Sequence, residues 1–131
     1  PVVKEYSMKR DGDVQLSTHF KLHEFRCKNG ADTVLVDTDL VALLEKIRMH
    51  YMKPVVINSA YRTKEYNASI KNASPKSQHV LGKAADIRVK NIPPKEVARY
   101  VNMIMPNKGG IGIYGTFTHV DVRANKSRWN G

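Results

Sequence analysis

The chain is nearly free of cysteine, has no long apolar run and is short of acid. Its 131 residues include a single cysteine, Cys27, so no disulfide can close within one chain and no cysteine-built zinc site is possible. Stability must come from packing, and any metal site must be made of histidine and carboxylate. No apolar stretch approaches the roughly 20 residues that a membrane-spanning helix needs. Residues 1–16, "PVVKEYSMKRDGDVQL", hold no apolar core of signal-peptide length and no small-residue cleavage site. Repeats, low-complexity tracts and Pro/Gly-rich linkers are also lacking, and the length suits one domain with a real core.

Acidic residues number 12 against 22 Lys and Arg, a net charge of +10. The basic residues are scattered rather than gathered in one block. Such a surface favours polyanions of any kind, whether nucleic acid, anionic membrane or anionic cell-wall polymer, or simply aids solubility. Charge sets the sign of a partner, not its identity.

What is there reads as alternating helices and strands. The polar, charged residues 1–15 are expected to form an extended N-terminal arm, leaving 16–131 as the folded domain. "STHFKLHEF" predicts a short helical turn on the core. Residues 38–52 predict a helix capped by Asp37 or Thr38, with Leu40, Leu43, Leu44, Ile47 and Tyr51 on one face. "PVVINSA" reads as a buried strand, "TKEYNASI" as a short helix and "KNASPKSQ" as a loop. "KAADIRV" is a second strand, with Ala84, Asp86 and Arg88 on one face and Ala85, Ile87 and Val89 on the other. Pro93 and Pro94 open a helix whose apolar face is Val97, Tyr100, Val101 and Ile104. "IGIYGTFTHVDVR" predicts two short strands turning at Gly115. The tail "ANKSRWNG" reads as polar, with Trp129 docked on the core or offered as a substrate platform. This order predicts an α+β domain with helices packed on a small, mostly antiparallel sheet.

Chemistry concentrates in "SQHVLGKAAD", residues 77–86. His79 and Asp86 could hold a metal, since Gly82 lets the chain turn back and Ala84 and Ala85 leave room. A catalytic zinc site keeps three protein ligands and one open position. Of the other histidines, His50 lies at a helix end and is expected to be exposed. His19 and His23 are spaced i, i+4, which reads either as a surface pair or as a metal pair. His119, in "FTHVDVR", shares a strand face with Asp121 while Val120 and Val122 turn toward the core. His119 is the best third ligand.

These residues also carry a family resemblance. "SQHVLGKAAD" fits the pattern S-x-H-x-x-G-x-A-x-D at Ser77, His79, Gly82, Ala84 and Asp86. That pattern resembles the signature of the zinc D-Ala-D-Ala carboxypeptidases, peptidoglycan peptidases whose superfamily includes lysostaphin-type peptidases and the hedgehog signalling domain. "INSAYRTKEYN" and "GGIGIYGTFTHVDVR" resemble the family's upstream and closing segments, so the likeness runs over roughly residues 16–129. The resemblance implies a hedgehog-like or D-Ala-D-Ala-peptidase-like fold and one zinc ion held by His79, Asp86 and His119. It gives Arg62 the substrate carbonyl or oxyanion, against the plainer reading of a surface arginine. Ser77 becomes a candidate for hydrogen bonding to substrate, or else to its own loop. Tyr61 and Tyr114 either line the cleft or pack beside it.

One departure stands out. Many members place an acidic general base three positions before the last histidine ligand, and here that residue is Thr116. Asp121 is the nearest replacement, as the base or as a carboxylate that orients His119. Some phage-type relatives share the H-V-D arrangement. The expected function is zinc-dependent hydrolysis of a peptide bond in peptidoglycan, the alternative a non-catalytic zinc-containing wall-binding module of the same fold. The expected partners are peptidoglycan peptide and anionic wall polymer rather than nucleic acid, for a monomer with no membrane span. It would act at the bacterial wall after phage release or after processing of a longer chain.

Overall fold

A computed structural model describes residues 2–131. The elements run β1 (Val3–Ser7), α1 (Met8–Asp11), a 3-10 turn (Leu22–Phe25), β2 (Thr33–Asp37), α2 (Thr38–Tyr51), β3 (Val55–Ser59) and α3 (Lys64–Ala68). They continue with β4 (Ala84–Val89), α4 (Pro94–Ile104), β5 (Gly110–Ile113), β6 (Thr118–Asp121) and β7 (Ser127–Asn130). Five strands form one sheet in the order β3-β4-β6-β5-β7, and β1 pairs with β2 in a separate ribbon. Every pairing is antiparallel except β5 with β7. The expected α+β class, with helices on a mostly antiparallel sheet, is what the chain adopts.

Local chemistry accounts for the two long helices. The Asp37 carboxylate accepts from Asp39 N at 2.8 Å and caps α2, which buries Leu40, Leu43, Leu44 and Ile47. Pro94 opens α4 where its missing N–H costs nothing, and Val97, Ala98, Tyr100 and Val101 are buried. Both stripes meet the inner face of the sheet, where Ala85, Ile87, Val89, Ile111 and Val120 join them in one cluster. A fully buried leucine or isoleucine here contributes about 1.5–3 kcal/mol by its removal from water. Thr118 Oγ1 donates to Pro94 O at 3.0 Å and ties β6 to the start of α4.

Three strands depart from the sequence reading. Residues 3–7, expected in an extended arm, pair along their length with β2, and Ser7 caps the single turn of α1. Residues 33–37 form β2, which the sequence reading passed over. The tail, read as polar with a docked tryptophan, is β7, a parallel edge strand beside β5. Its side chains are half-buried, or exposed at Asn130, so the backbone ladder rather than an apolar pattern holds it there.

Strand alternation gives the sheet an outer face as polar as its inner face is apolar. Asp86 on β4 stands directly opposite His119 on β6, and Ala84 opposite Asp121. On β5 the outer positions are Gly110 and Gly112, opposite Asp121 and His119. That face is the floor of the site.

Candidate metal centre

The β4–β6 register brings two candidate ligands together. Directly opposed residues hold their Cβ atoms about 4.5–5.5 Å apart, and His119 Nδ1 lies 3.0 Å from Asp86 Oδ1. His79 comes from the tight turn before β4. Its ring Nδ1–H donates to Ala60 O at 2.7 Å, and its Nε2 faces Asp86 Oδ1 at 3.4 Å. Gly82 ends this turn at φ +75°, and a Cβ there would lie 2.7 Å from the Leu35 backbone. Only glycine fits.

The far nitrogens are therefore committed, and the near ones converge. His119 Nε2–H donates to Asp121 Oδ2 at 2.7 Å, which leaves the lone pair of the neutral ring on Nδ1, facing Asp86. One ligand atom from each of His79, Asp86 and His119 lies within 4.8 Å of the others, and all three residues are buried. Two imidazole nitrogens and a carboxylate oxygen, with both rings braced from behind, suit a divalent metal such as zinc.

Asp121 is fully occupied. Its side chain is completely buried and accepts from His119, Gly110 N (2.8 Å), Arg123 N (3.1 Å), Arg123 Nε (2.8 Å) and Arg123 Nη2 (2.7 Å). Burial works to raise its pKa, but the bonds from His119 and Arg123 outweigh that and hold it below the usual carboxylate range. Asp86 is held low in the same way, its burial outweighed by the His119 and His79 rings, which donate to it only in their protonated forms. Burial pulls His119 down, yet Asp121 and Asp86 together raise it above the usual histidine value.

Around this triad lies a cleft of about 630 Å³. Arg62 borders it with a side chain only 13% exposed, reaching Ser59 Oγ (3.3 Å), Asn67 Oδ1 (3.3 Å) and Asp86 Oδ2 (3.5 Å). It is no loose surface arginine. Ser77 also borders the cleft, and its Oγ accepts from His79 N at 3.2 Å, steadying the turn that carries His79. Tyr61, expected to line the cleft or pack beside it, packs against the hydrophobic core and is not among the residues that line the cleft. Thr116 is exposed and lines a different pocket, with Pro54, Val56 and Ile87.

The far wall is aromatic and was not foreseen as a unit. Tyr114 and Phe117 stack at 4.5 Å, and Trp129 Nε1 donates to Tyr114 OH at 2.9 Å. The Trp129 ring lies 5.0 Å from the His119 ring, and the Arg123 guanidinium sits over the indole, 5.4 Å from its centroid. Gly110 and Gly112 make room. A Cβ on Gly110 would stand 2.2 Å from Asp121 Oδ2, and one on Gly112 2.5 Å from the Trp129 ring. The alternation of glycine with Ile111 and Ile113 was the available signal: a strand with no side chain on one face has something else lying across it.

A family model described as Peptidase M15 matches residues 18–121. The chain belongs to the peptidase M15 family. M15 peptidases are zinc-dependent metallopeptidases, and the match takes in every element from the 3-10 turn to β6, which ends at Asp121. No curated protein and no solved structure matches the chain. No helix among the described residues is long and apolar enough to cross a membrane.

Proposed function

We propose that this M15 peptidase hydrolyses a peptide bond in the stem or cross-bridge of bacterial peptidoglycan, using one zinc ion held by His79 Nε2, Asp86 Oδ1 and His119 Nδ1. The observation that carries the reading is the convergence of these three atoms, with both rings braced from behind, at the base of a cleft bordered by Arg62. Zinc, when bound, supplies Lewis acidity for the scissile carbonyl and the attacking water. Arg62 offers guanidinium N–H donors to the oxyanion that develops on that carbonyl, and its anchors on Ser59 and Asn67 fix their direction. Ser77 holds the turn that presents His79.

Asp121 orients His119 in this account. It meets the ring nitrogen opposite the metal-facing one, and its oxygens already take five donors. The basic surface would keep the protein on anionic wall polymer between cleavages. The test is mass spectrometry of peptidoglycan digested by the zinc-loaded protein beside a His79→Ala control. New peptide ends that vanish in the control support the reading and identify the bond, and so decide between carboxypeptidase and endopeptidase action.

A second reading draws on a specific observation. Among the described residues Asp86 is the only carboxylate lining the cleft, and Thr116 stands outside it. A zinc-containing wall-binding module of the same fold would show that arrangement. It predicts retained peptidoglycan binding with no new peptide ends from any wall chemotype.

A further inference from the structure

One stretch of the cleft lining is the loop that runs from Ile70 to Gln78. Asn67, only 3% exposed, pins this loop: its Nδ2 donates to Ser74 O at 2.8 Å while its Oδ1 accepts from Arg62 at 3.3 Å. One carboxamide therefore couples the position of Arg62 to that of the loop. Among the described residues four cations border the cleft, and two are spoken for, since Arg62 reaches Asp86 and Arg123 is paired with Asp121. Lys71 and Lys76 are exposed and have no carboxylate partner among the described residues. Two free ammonium groups thus stand on a pinned loop beside a cleft whose single carboxylate faces the histidines.

We infer that Lys71 and Lys76 form a carboxylate-selecting rim, so that the preferred substrate is a peptide bearing a free carboxylate near the cleaved bond, and an amidated one is disfavoured. This rests on the peptidoglycan reading for the kind of peptide, but the selection itself is a matter of charge. A substrate carboxylate lying against two lysines gains attraction that a carboxamide of the same shape does not. Exposed ion pairs are each worth little, so the discrimination is modest.

The test uses the zinc-loaded protein and two probes: the stem pentapeptide L-Ala-γ-D-Glu-L-Lys-D-Ala-D-Ala, and its counterpart with the glutamyl and C-terminal carboxylates as carboxamides. Binding is followed by the fluorescence of Trp129, the only tryptophan and itself part of the cleft. The carboxylate peptide should bind about fivefold more tightly at low salt. The preference should shrink in high salt and fall to near one in a Lys71→Gln/Lys76→Gln variant. Equal affinities, no binding of either probe, or a preference that survives the double variant would each overturn the rim. Cleavage read in parallel separates the two claims. A lysine-dependent preference without cleavage sinks the peptidase reading and keeps the rim, while cleavage without preference does the reverse.

Discussion

The molecule holds two pairs of histidines, and they differ in where their carboxylates lie. His19 and His23 each have one of their own: His19 Nδ1 meets Glu45 at 2.7 Å, and His23 Nδ1 meets Asp13 at 2.9 Å. His79 and His119 share Asp86 between them, and each is braced from behind by a further acceptor. The outer pair is at the surface, where each histidine–carboxylate contact is satisfied and separate. The inner pair is buried and convergent. Spacing along the chain favoured neither, since i, i+4 histidines are as good a metal motif in principle as a histidine and an aspartate around a glycine turn. Convergence makes the difference.

The largest effect should come from His79→Ala, which removes a ligand from a three-ligand site. Zinc binding should be lost and hydrolysis should fall by about three orders of magnitude or more, while His23→Ala leaves both unchanged. Parallel zinc titration and muropeptide assays of the two variants check this. A fall in the His23 variant comparable to that in the His79 variant would break the comparison.

Next in size is Asp121→Asn, which weakens the brace on His119. Zinc affinity should fall about 10- to 100-fold, as when other partners behind a ligating histidine are altered. Competition with a chelator measures this. If Asp121 instead took the proton from the attacking water, the variant would keep its zinc affinity and lose kcat. Gly110→Ala should act through the same group, because the new Cβ would stand 2.2 Å from Asp121 Oδ2. Overpacking at such a site costs about 1–3 kcal/mol, read as a lower denaturation midpoint together with weaker zinc binding.

Much of this was legible beforehand, and the reasons are local. Helices α2 and α4 declare themselves by a 3.6-residue apolar stripe and by Asp37 and Pro94 at their starts. Strand β4 declares itself by strict alternation, and two of the three proposed metal-binding residues, His79 and Asp86, stand inside a motif. Strand β2, "TVLVD", was hidden because it abuts its helix directly, with Asp37 serving both as its last residue and as the cap of α2. Strand β7 was hidden because its pairing with β5 is non-local and its own residues are polar. The role of Asp121 stayed open for a similar reason. Alternation puts it on the same face as His119, but only the three-dimensional arrangement shows which ring nitrogen it meets.

The smallest effect concerns acid. In the outer pair, burial works to raise the Glu45 pKa, but bonds from Ser17 and His19 outweigh it and set it below the ordinary glutamate value. A carboxylate depressed in the folded state stabilises above its unfolded pKa of about 4.3, and that contribution is lost as pH falls through the folded value. Glu45→Gln should therefore flatten the acid limb of a melting-temperature profile below about pH 4.5, equally with and without zinc. An acid limb unchanged by the substitution would remove Glu45 from the account.

The most direct test of the central claim is the zinc content of the purified protein, counted per chain by elemental analysis, for the unaltered protein and for His79→Ala, His119→Ala and the paired His19→Ala/His23→Ala variant. The account predicts one zinc per chain, lost in each of the two inner variants and retained in the outer one. Zinc that persists without His79 and His119, or disappears with His19 and His23, would contradict it.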